Sequence, residues 1–125
     1  MAKILIVDDD PDIREGCTLV LESEGHTVTC AANRAEGMRA IQAEVPDLLI
    51  LDVMMEQPDD GMAMAQTLRD QGFPAPILML TSISRATGMT YEADDELMPV
   101  DLFVEKPVAP QRLIELVTQL LDKKA

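Results

Sequence analysis

The sequence predicts an α/β fold in which a parallel sheet is flanked by helices. Three short aliphatic runs each lead directly into charged residues: residues 4–7 into Asp8, residues 48–51 into Asp52, and residues 102–104 into Glu105 and Lys106. Short continuous aliphatic runs are typical of parallel strands buried on both faces. Helical patterns alternate with these runs, which predicts βαβ units and hence a parallel sheet.

Capping residues mark the helices in the first half of the chain. Asp10 is a suitable N-cap, Pro11 suits the first turn of a helix, and Gly25 is a typical helix end. A second helix follows the N-cap residue Asn33 and is stopped by Pro46. The predicted strands cover residues 3–7, 26–30, 47–51, 76–80 and 101–104.

The second half of the chain is less regular. A third helix directs Met62, Ala65 and Leu68 inward and is closed by Gly72. A short helix is predicted at residues 91–98, within a segment rich in acidic residues. The last helix begins at Pro110 and has the clearest amphipathic pattern, with apolar residues at Leu113, Leu116, Val117, Leu120 and Leu121.

Composition limits the classes of partner. The 125 residues are the size of one domain, and we expect residues 1–125 to form it. A net charge of −13 argues against direct binding to nucleic acid or to an anionic membrane. The opening apolar run is too short for a signal peptide or a membrane span. Cys17 and Cys30 lack metal-binding spacing and are predicted to be reduced, buried thiols of a cytoplasmic protein.

Carboxylates gather at the ends of two predicted strands. Asp8 and Asp9 follow the first strand, and Asp52 ends the third. Ligands of open α/β sheets bind outside the carboxyl ends of the strands, where these residues would meet. Two carboxylates about 4 Å apart repel by roughly 4 kcal/mol at an effective dielectric of about 20. The sequence therefore predicts a divalent cation such as Mg²⁺ here, with helix capping as the alternative for Asp8 and Asp9.

A carboxylate beside a bound cation can act as a nucleophile towards a phosphoryl group. Asp52 is the candidate, and an aspartyl phosphate would be the product. The alternatives for Asp52 are that it serves only as a third metal ligand or that it is a turn residue at the start of a loop. Thr81 and Lys106 end the fourth and fifth predicted strands, where a hydroxyl and an ammonium would contact phosphoryl oxygens.

Four motifs together resemble the response-regulator receiver domain of two-component signalling: ILIVDDD at residues 4–10, LDVMM at 51–55, LTS at 80–82 and EKP at 105–107. The resemblance extends over essentially the whole chain. It implies a flavodoxin-like, doubly wound (βα)5 sandwich with a five-stranded parallel sheet in the order 2-1-3-4-5. It also implies a stand-alone, chemotaxis-regulator-like receiver of bacterial phosphorelay signalling.

The resemblance assigns roles to individual residues. Asp52 would be the phosphoacceptor, and Mg²⁺ would be held by Asp8, Asp9, Asp52 and the backbone carbonyl of Met54. Thr81 and Lys106 would contact the phosphoryl group. Thr81 and Phe103 would form the switch that responds to phosphorylation.

The same resemblance implies partners. A sensor histidine kinase or a histidine phosphotransferase would supply the phosphoryl group, and a downstream protein would read the phosphorylated state. The chain would be a cytoplasmic monomer or a phosphorylation-linked homodimer. It would not be an enzyme beyond its own aspartyl phosphorylation and dephosphorylation.

Three features depart from the family pattern. Glu56 stands where the family usually has Pro, and Gly61 comes one residue later than usual. The segment between Thr81 and Lys106 is longer than usual and lacks the Ala-Gly-Ala turn before the fifth strand. The strand-five aromatic residue is Phe103 rather than the commoner Tyr.

Two alternatives and two further hypotheses accompany this interpretation. A phosphohydrolase resembling the haloacid-dehalogenase superfamily would use Asp8 as nucleophile, and a phosphorylation-independent receiver-like module would only bind proteins.

At the positions that modulate acyl-phosphate hydrolysis in the receiver family, Met54 and Ile83 predict slow autodephosphorylation. Residues 84–99, with Met89 and Tyr91 among acidic residues, are predicted to form a partner surface.

Overall fold

The computed structural model describes residues 2–52, 60–82, 101–106 and 108–124 and contains a parallel sheet within them. The strands are β1 (Lys3–Val7), β2 (Thr27–Ala31), β3 (Leu48–Asp52), β4 (Ile77–Ser82) and β5 (Leu102–Lys106). The helices are α1 (Pro11–Ser23), α2 (Arg34–Ala43), α3 (Asp60–Asp70) and α4 (Pro110–Lys124). The sheet order is β2-β1-β3-β4-β5, which confirms the predicted fold class.

Two apolar clusters cover the two faces of the sheet. Leu5 and Val7 of β1 point to the face on which α2 and α3 pack, whereas Ile4 and Ile6 point to the face covered by α1 and α4. Strand β3 is central, and all five of its residues are buried. The alternation within one strand and the burial of both faces follow from helices packing on each side.

The predicted caps are present. The Asp10 side chain accepts a hydrogen bond of 2.9 Å from the backbone N–H of Asp12 at the start of α1. The Asn33 side chain accepts one of 2.9 Å from the backbone N–H of Glu36 at the start of α2. After α1, Gly25 has a φ of 89°, a left-handed conformation that favours glycine over other residues.

Four strands begin one residue later than predicted, and for three of them side chains at the amino edge of the sheet give the reason. His26, Asp47 and Asp101 directly precede β2, β3 and β5. Each of these side chains accepts a hydrogen bond from a backbone N–H at the start of the neighbouring strand. His26 Nδ1 accepts the N–H of Ala2, which directly precedes β1. Asp47 Oδ2 accepts the N–H of Lys3 in β1, and Asp101 Oδ2 accepts the N–H of Ile77 in β4. These residues therefore cap neighbouring backbone instead of starting their own strands.

Other predictions need correction or fall outside the described residues. Cys30 is exposed rather than buried, because it lies on the outer strand β2, where its Sγ is 3.2 Å from Thr18 Oγ1. Helix α2 ends at Ala43, before Pro46, because the next residue is already extended. The helix predicted at residues 91–98 and the surface predicted at residues 84–99 lie outside the described part of the chain.

Candidate metal and phosphoryl site

The neighbouring strands β1 and β3 bring two aspartates together at the carboxyl edge of the sheet. The β1–β3 register pairs Val7 with Leu51, so that Asp8 and Asp52 follow side by side. Both are buried, with Asp8 exposing 1% and Asp52 exposing 3% of its surface. Charged residues are seldom buried this completely unless they are paired or bind a metal. Among the described residues, these two aspartates are the buried charged groups in an otherwise apolar core.

A third carboxylate completes the cluster. Asp9 is exposed, and one side-chain oxygen from each of Asp8, Asp9 and Asp52 lies within 4.8 Å of the others. Over the described ranges, this is the group of acidic, histidine or cysteine side chains that is close enough to hold one metal ion. The structure therefore brings together the three side chains predicted to bind Mg²⁺.

The donor set fits a hard divalent cation. All three donors are carboxylate oxygens, which Mg²⁺ prefers, and Mg–O distances of about 2.1 Å place two bound oxygens at most roughly 4.2 Å apart. A spacing of up to 4.8 Å therefore requires only a small contraction or an intervening water. The exposed position of Asp9 leaves the solvent side open for the waters that Mg²⁺ usually retains.

Hydrogen bonds fix the turn that carries Asp8. Its backbone N–H donates to the carbonyl oxygen of Ala31 at 3.1 Å, and its Oδ1 accepts the backbone N–H of Asp10 at 2.9 Å. Its own carbonyl oxygen accepts a hydrogen bond of 2.6 Å from Nη1 of Arg14. Arg14 belongs to none of the motifs in the sequence, because its partner is a backbone atom.

The strands that carry the phosphoryl-contacting candidates end at the same edge. Strand β4 pairs with β3 through Asp52 and Leu80, which places Thr81 one residue beyond that pair. Lys106 is the last residue of β5 and pairs with Ser82. Thr81 is the penultimate residue of β4 rather than its last, because the strand continues to Ser82.

Some predicted site groups lie outside the described part of the structure. These are the whole of Met54 and the side chains of Thr81, Phe103 and Lys106. Glu56 and Ile83 also lie outside it, whereas Gly61 is buried in the first turn of α3. The backbone thus brings Thr81 and Lys106 to the carboxyl edge, and their roles remain predictions.

The described helices include none that is long and apolar enough to cross a membrane.

Comparison with known sequences gives a consistent result. The sequence model of the response regulator receiver domain matches residues 4–118. Response regulator MprA of Mycobacterium ulcerans is 39% identical over 127 residues, which cover 98% of this chain and 54% of the relative. The chain spans about half the length of the curated relatives it matches.

Solved structures agree with the sequence comparison. The receiver domain of the Francisella response regulator 1452 superposes with a TM-score of 0.85 at 25% identity, covering 100% of both chains. The chemotaxis protein CheY4 of Vibrio cholerae superposes with a TM-score of 0.81 at 28% identity, covering 96% of this chain and 98% of that one. Both share the fold over nearly their whole length.

Proposed function

Because this chain belongs to the response-regulator receiver family, we propose that it accepts a phosphoryl group on Asp52 from a phosphohistidine. The donor is a sensor histidine kinase or a histidine phosphotransferase. One observation carries the assignment of Asp52: its buried carboxylate ends the central strand β3 and lies within 4.8 Å of carboxylate oxygens of Asp8 and Asp9. A nucleophile needs this fixed position, and a neighbouring cation site removes the repulsion towards an anionic phosphoryl group.

The proposed reaction is a direct transfer. A carboxylate oxygen of Asp52 attacks the phosphorus atom, a P–O bond forms, and the P–N bond to the donor imidazole breaks. The imidazole leaves with the electron pair and takes up a proton. The product is an acyl phosphate on Asp52 and a neutral histidine on the donor.

Asp8, Asp9, Asp52 and the carbonyl oxygen of Met54 are the proposed ligands of Mg²⁺. When bound, the cation supplies positive charge that offsets the carboxylates and the incoming phosphoryl oxygens. Burial of Asp8 and Asp52 supports this role, since buried carboxylates are costly without a compensating charge.

Thr81, Lys106 and Phe103 complete the proposal. The ends of β4 and β5 bring Thr81 and Lys106 to the edge that carries Asp52. There, the Lys106 ammonium and the Thr81 hydroxyl would donate hydrogen bonds to phosphoryl oxygens. Movement of Thr81 towards the phosphoryl group, followed by Phe103, would change the surface that a downstream protein reads.

The proposal extends to organisation and location. Residues 1–125 would form a single cytoplasmic receiver domain, as a monomer or a phosphorylation-linked homodimer. The family match at residues 4–118 supports one domain. Beyond its own phosphorylation and dephosphorylation it would have no enzymatic activity.

A phosphorylation-independent binding module is the second candidate function, favoured by the departure from the family pattern at Glu56.

Intact-protein mass spectrometry tests the proposal. The chain is incubated with phosphoramidate or acetyl phosphate and Mg²⁺, with Asp52→Asn and EDTA samples as controls. We expect a gain of one phosphoryl group that both controls abolish. Borohydride reduction followed by peptide mapping then identifies the acylated residue, because it converts an aspartyl phosphate into homoserine. Modification at Asp8 would support a hydrolase-type nucleophile instead, and an unmodified wild type would favour the binding module.

A further inference from the structure

An arginine outside the predicted motifs contacts the acidic cluster. Arg14 lies in the first turns of α1 and is half-buried. Its guanidinium reaches back over the β1–α1 turn, where Nη1 donates to the backbone oxygen of Asp8 at 2.6 Å. The donor is charged, and charge-assisted hydrogen bonds are shorter and stronger than those between neutral groups. The guanidinium is therefore held directly beside Asp8, which follows β1 and belongs to the acidic cluster.

Three hydrogen bonds, each with a different neighbouring residue, hold Asp8 in its orientation. Ala31 accepts its N–H at 3.1 Å, Asp10 donates to its Oδ1 at 2.9 Å, and Arg14 donates to its carbonyl oxygen. The first bond fixes the peptide before Asp8, the third fixes the peptide after it, and the second fixes the carboxylate. The Arg14 bond acts on the peptide that joins Asp8 to Asp9.

We infer that Arg14 is a positioning residue that holds the Asp8–Asp9 peptide so that both carboxylates face one cation site. This inference rests on the proposed function, because it concerns the same Mg²⁺ site. Asp8 is buried, so loss of the Arg14 donor would remove a charged hydrogen bond from a carbonyl oxygen that water does not reach. The turn would then rotate, and the relative placement of Asp8 and Asp9 would change.

Replacing Arg14 should change the affinity for Mg²⁺ in one direction if Arg14 positions the ligands and in the other if it acts only through its charge. A positive charge near three carboxylates repels Mg²⁺, so removing a charge that did nothing else would strengthen Mg²⁺ binding. Removing a group that orients metal ligands weakens binding, typically by about 10- to 100-fold. The two roles of Arg14 therefore predict opposite changes in the dissociation constant.

Calorimetric titration with Mg²⁺ measures the change in the dissociation constant in three variants. We expect Arg14→Gln to weaken binding about 10-fold. Arg14→Lys keeps the charge and one donor, so its affinity should lie between those of Arg14→Gln and wild type. Arg39→Gln removes the same charge from an exposed position on α2 and should leave the dissociation constant within about twofold of wild type.

Hydrogen exchange without metal provides a second measurement. The Asp10 amide, which donates to Asp8 Oδ1, should exchange about 10-fold faster in Arg14→Gln than in Arg39→Gln. If Arg14→Gln fails to fold, Arg14→Lys carries the same comparison. Unchanged or tighter Mg²⁺ binding in Arg14→Gln would overturn the inference, whatever the rate of Asp10 exchange.

The design separates failure of the inference from failure of the proposed function. A wild type that neither binds Mg²⁺ nor gains a phosphoryl group would refute the proposed function and, with it, the role of Arg14 at a cation site. A wild type that does both, beside an Arg14→Gln variant that binds Mg²⁺ normally, would refute the role of Arg14 alone.

Discussion

Gly37 of α2 lies so close to Val7 of β1 that a Cβ atom at Gly37 would be 2.9 Å from Val7 Cγ2. The same Cβ would be 2.9 Å from Cε of Met64 on α3. Val7 is the last residue of β1 and directly precedes Asp8. The missing side chain at Gly37 therefore lets α2 approach the sheet next to the acidic cluster.

Gly37→Ala should destabilise the fold. The added methyl group overlaps a β-branched side chain, and overpacking of this kind costs about 1–3 kcal/mol, offset by about 1 kcal/mol of better helix propensity. We expect a net loss of about 1 kcal/mol, measured by urea unfolding followed by circular dichroism. Gly16→Ala is the matched control, because nothing lies within 4 Å of a Cβ there, and it should instead stabilise α1. Changes of the same sign in both variants would contradict this packing argument.

The sequence was informative about the core and less so about hydrogen bonds to backbone. Aliphatic runs marked β1, β3 and β5, because a buried parallel strand leaves a continuous apolar signal. The order of the five strands followed from the resemblance to the receiver family, and the structure has the same order. The amino ends of four strands were each misplaced by one residue. At three of them a polar side chain from His26, Asp47 or Asp101 accepts a backbone N–H.

The same distinction applies to the site. Asp8, Asp9 and Asp52 were predicted together, because strand ends in a parallel sheet converge on one edge. Arg14 was not predicted, since its interaction with the backbone oxygen of Asp8 depends on the path of the turn. Cys30 was placed in the interior, although the outer position of β2 leaves it exposed.

Arg69 should contribute far more stability than an arginine on the surface of α4. Its Nη1 donates to the carbonyl oxygens of Phe73 and Ala75 at 2.8 and 2.9 Å, and its Nη2 is 3.0 Å from Asp101 Oδ2. We expect Arg69→Met to lower the free energy of unfolding by about 2 kcal/mol, since two backbone carbonyls lose a charged donor. Urea unfolding measures this loss.

Arg112 provides the control for Arg69. It pairs with Glu115 at 3.6 Å, and the two side chains are 61% and 54% exposed. Exposed pairs of this kind contribute about 0–1 kcal/mol, so Arg112→Met should change stability only slightly. Equal losses in Arg69→Met and Arg112→Met would show that the Arg69 hydrogen bonds add nothing.

His26 should make stability depend on pH near neutrality. Burial lowers the pKa of His26, the positive amino terminus lowers it further, and Glu24 opposes the shift. In addition, Nδ1 accepts the backbone N–H of Ala2 at 3.2 Å, which requires the unprotonated nitrogen. The folded state thus binds the proton more weakly than the unfolded state, whose histidine has a pKa of about 6.5. Its contribution is complete above that value and is lost as the pH falls towards the folded pKa.

Unfolding curves of wild type and His26→Gln between about pH 8 and pH 5.5 measure the contribution of this group. Carboxylates titrate in both proteins, so the difference between the two isolates His26. We expect the wild type to lose stability more steeply than His26→Gln as the pH falls. Parallel curves would refute the prediction.

The aspartyl phosphate should be long-lived. Met54 and Ile83 occupy positions that modulate hydrolysis in the receiver family, and neither side chain has a group that could orient an attacking water. We expect the phosphorylated chain to persist for minutes or longer after the small-molecule donor is removed in Mg²⁺. Met54→Asn, which supplies an amide at this position, should shorten the lifetime at least several-fold. Decay of the wild type within seconds would contradict this expectation.

Asp52→Asn should stabilise the metal-free fold while abolishing its response to Mg²⁺. In EDTA, the three carboxylates within 4.8 Å repel one another, and neutralising the one on β3 should raise the free energy of unfolding by about 1 kcal/mol. Excess Mg²⁺ should stabilise the wild type, because it binds the folded state alone, and should have little effect on the variant. Glu22→Gln, an exposed change on α1, is the control and should respond to Mg²⁺ as the wild type does. An Asp52→Asn variant that is less stable than wild type in EDTA would mean that this carboxylate has a net stabilising role, contrary to the expected repulsion among the three carboxylates.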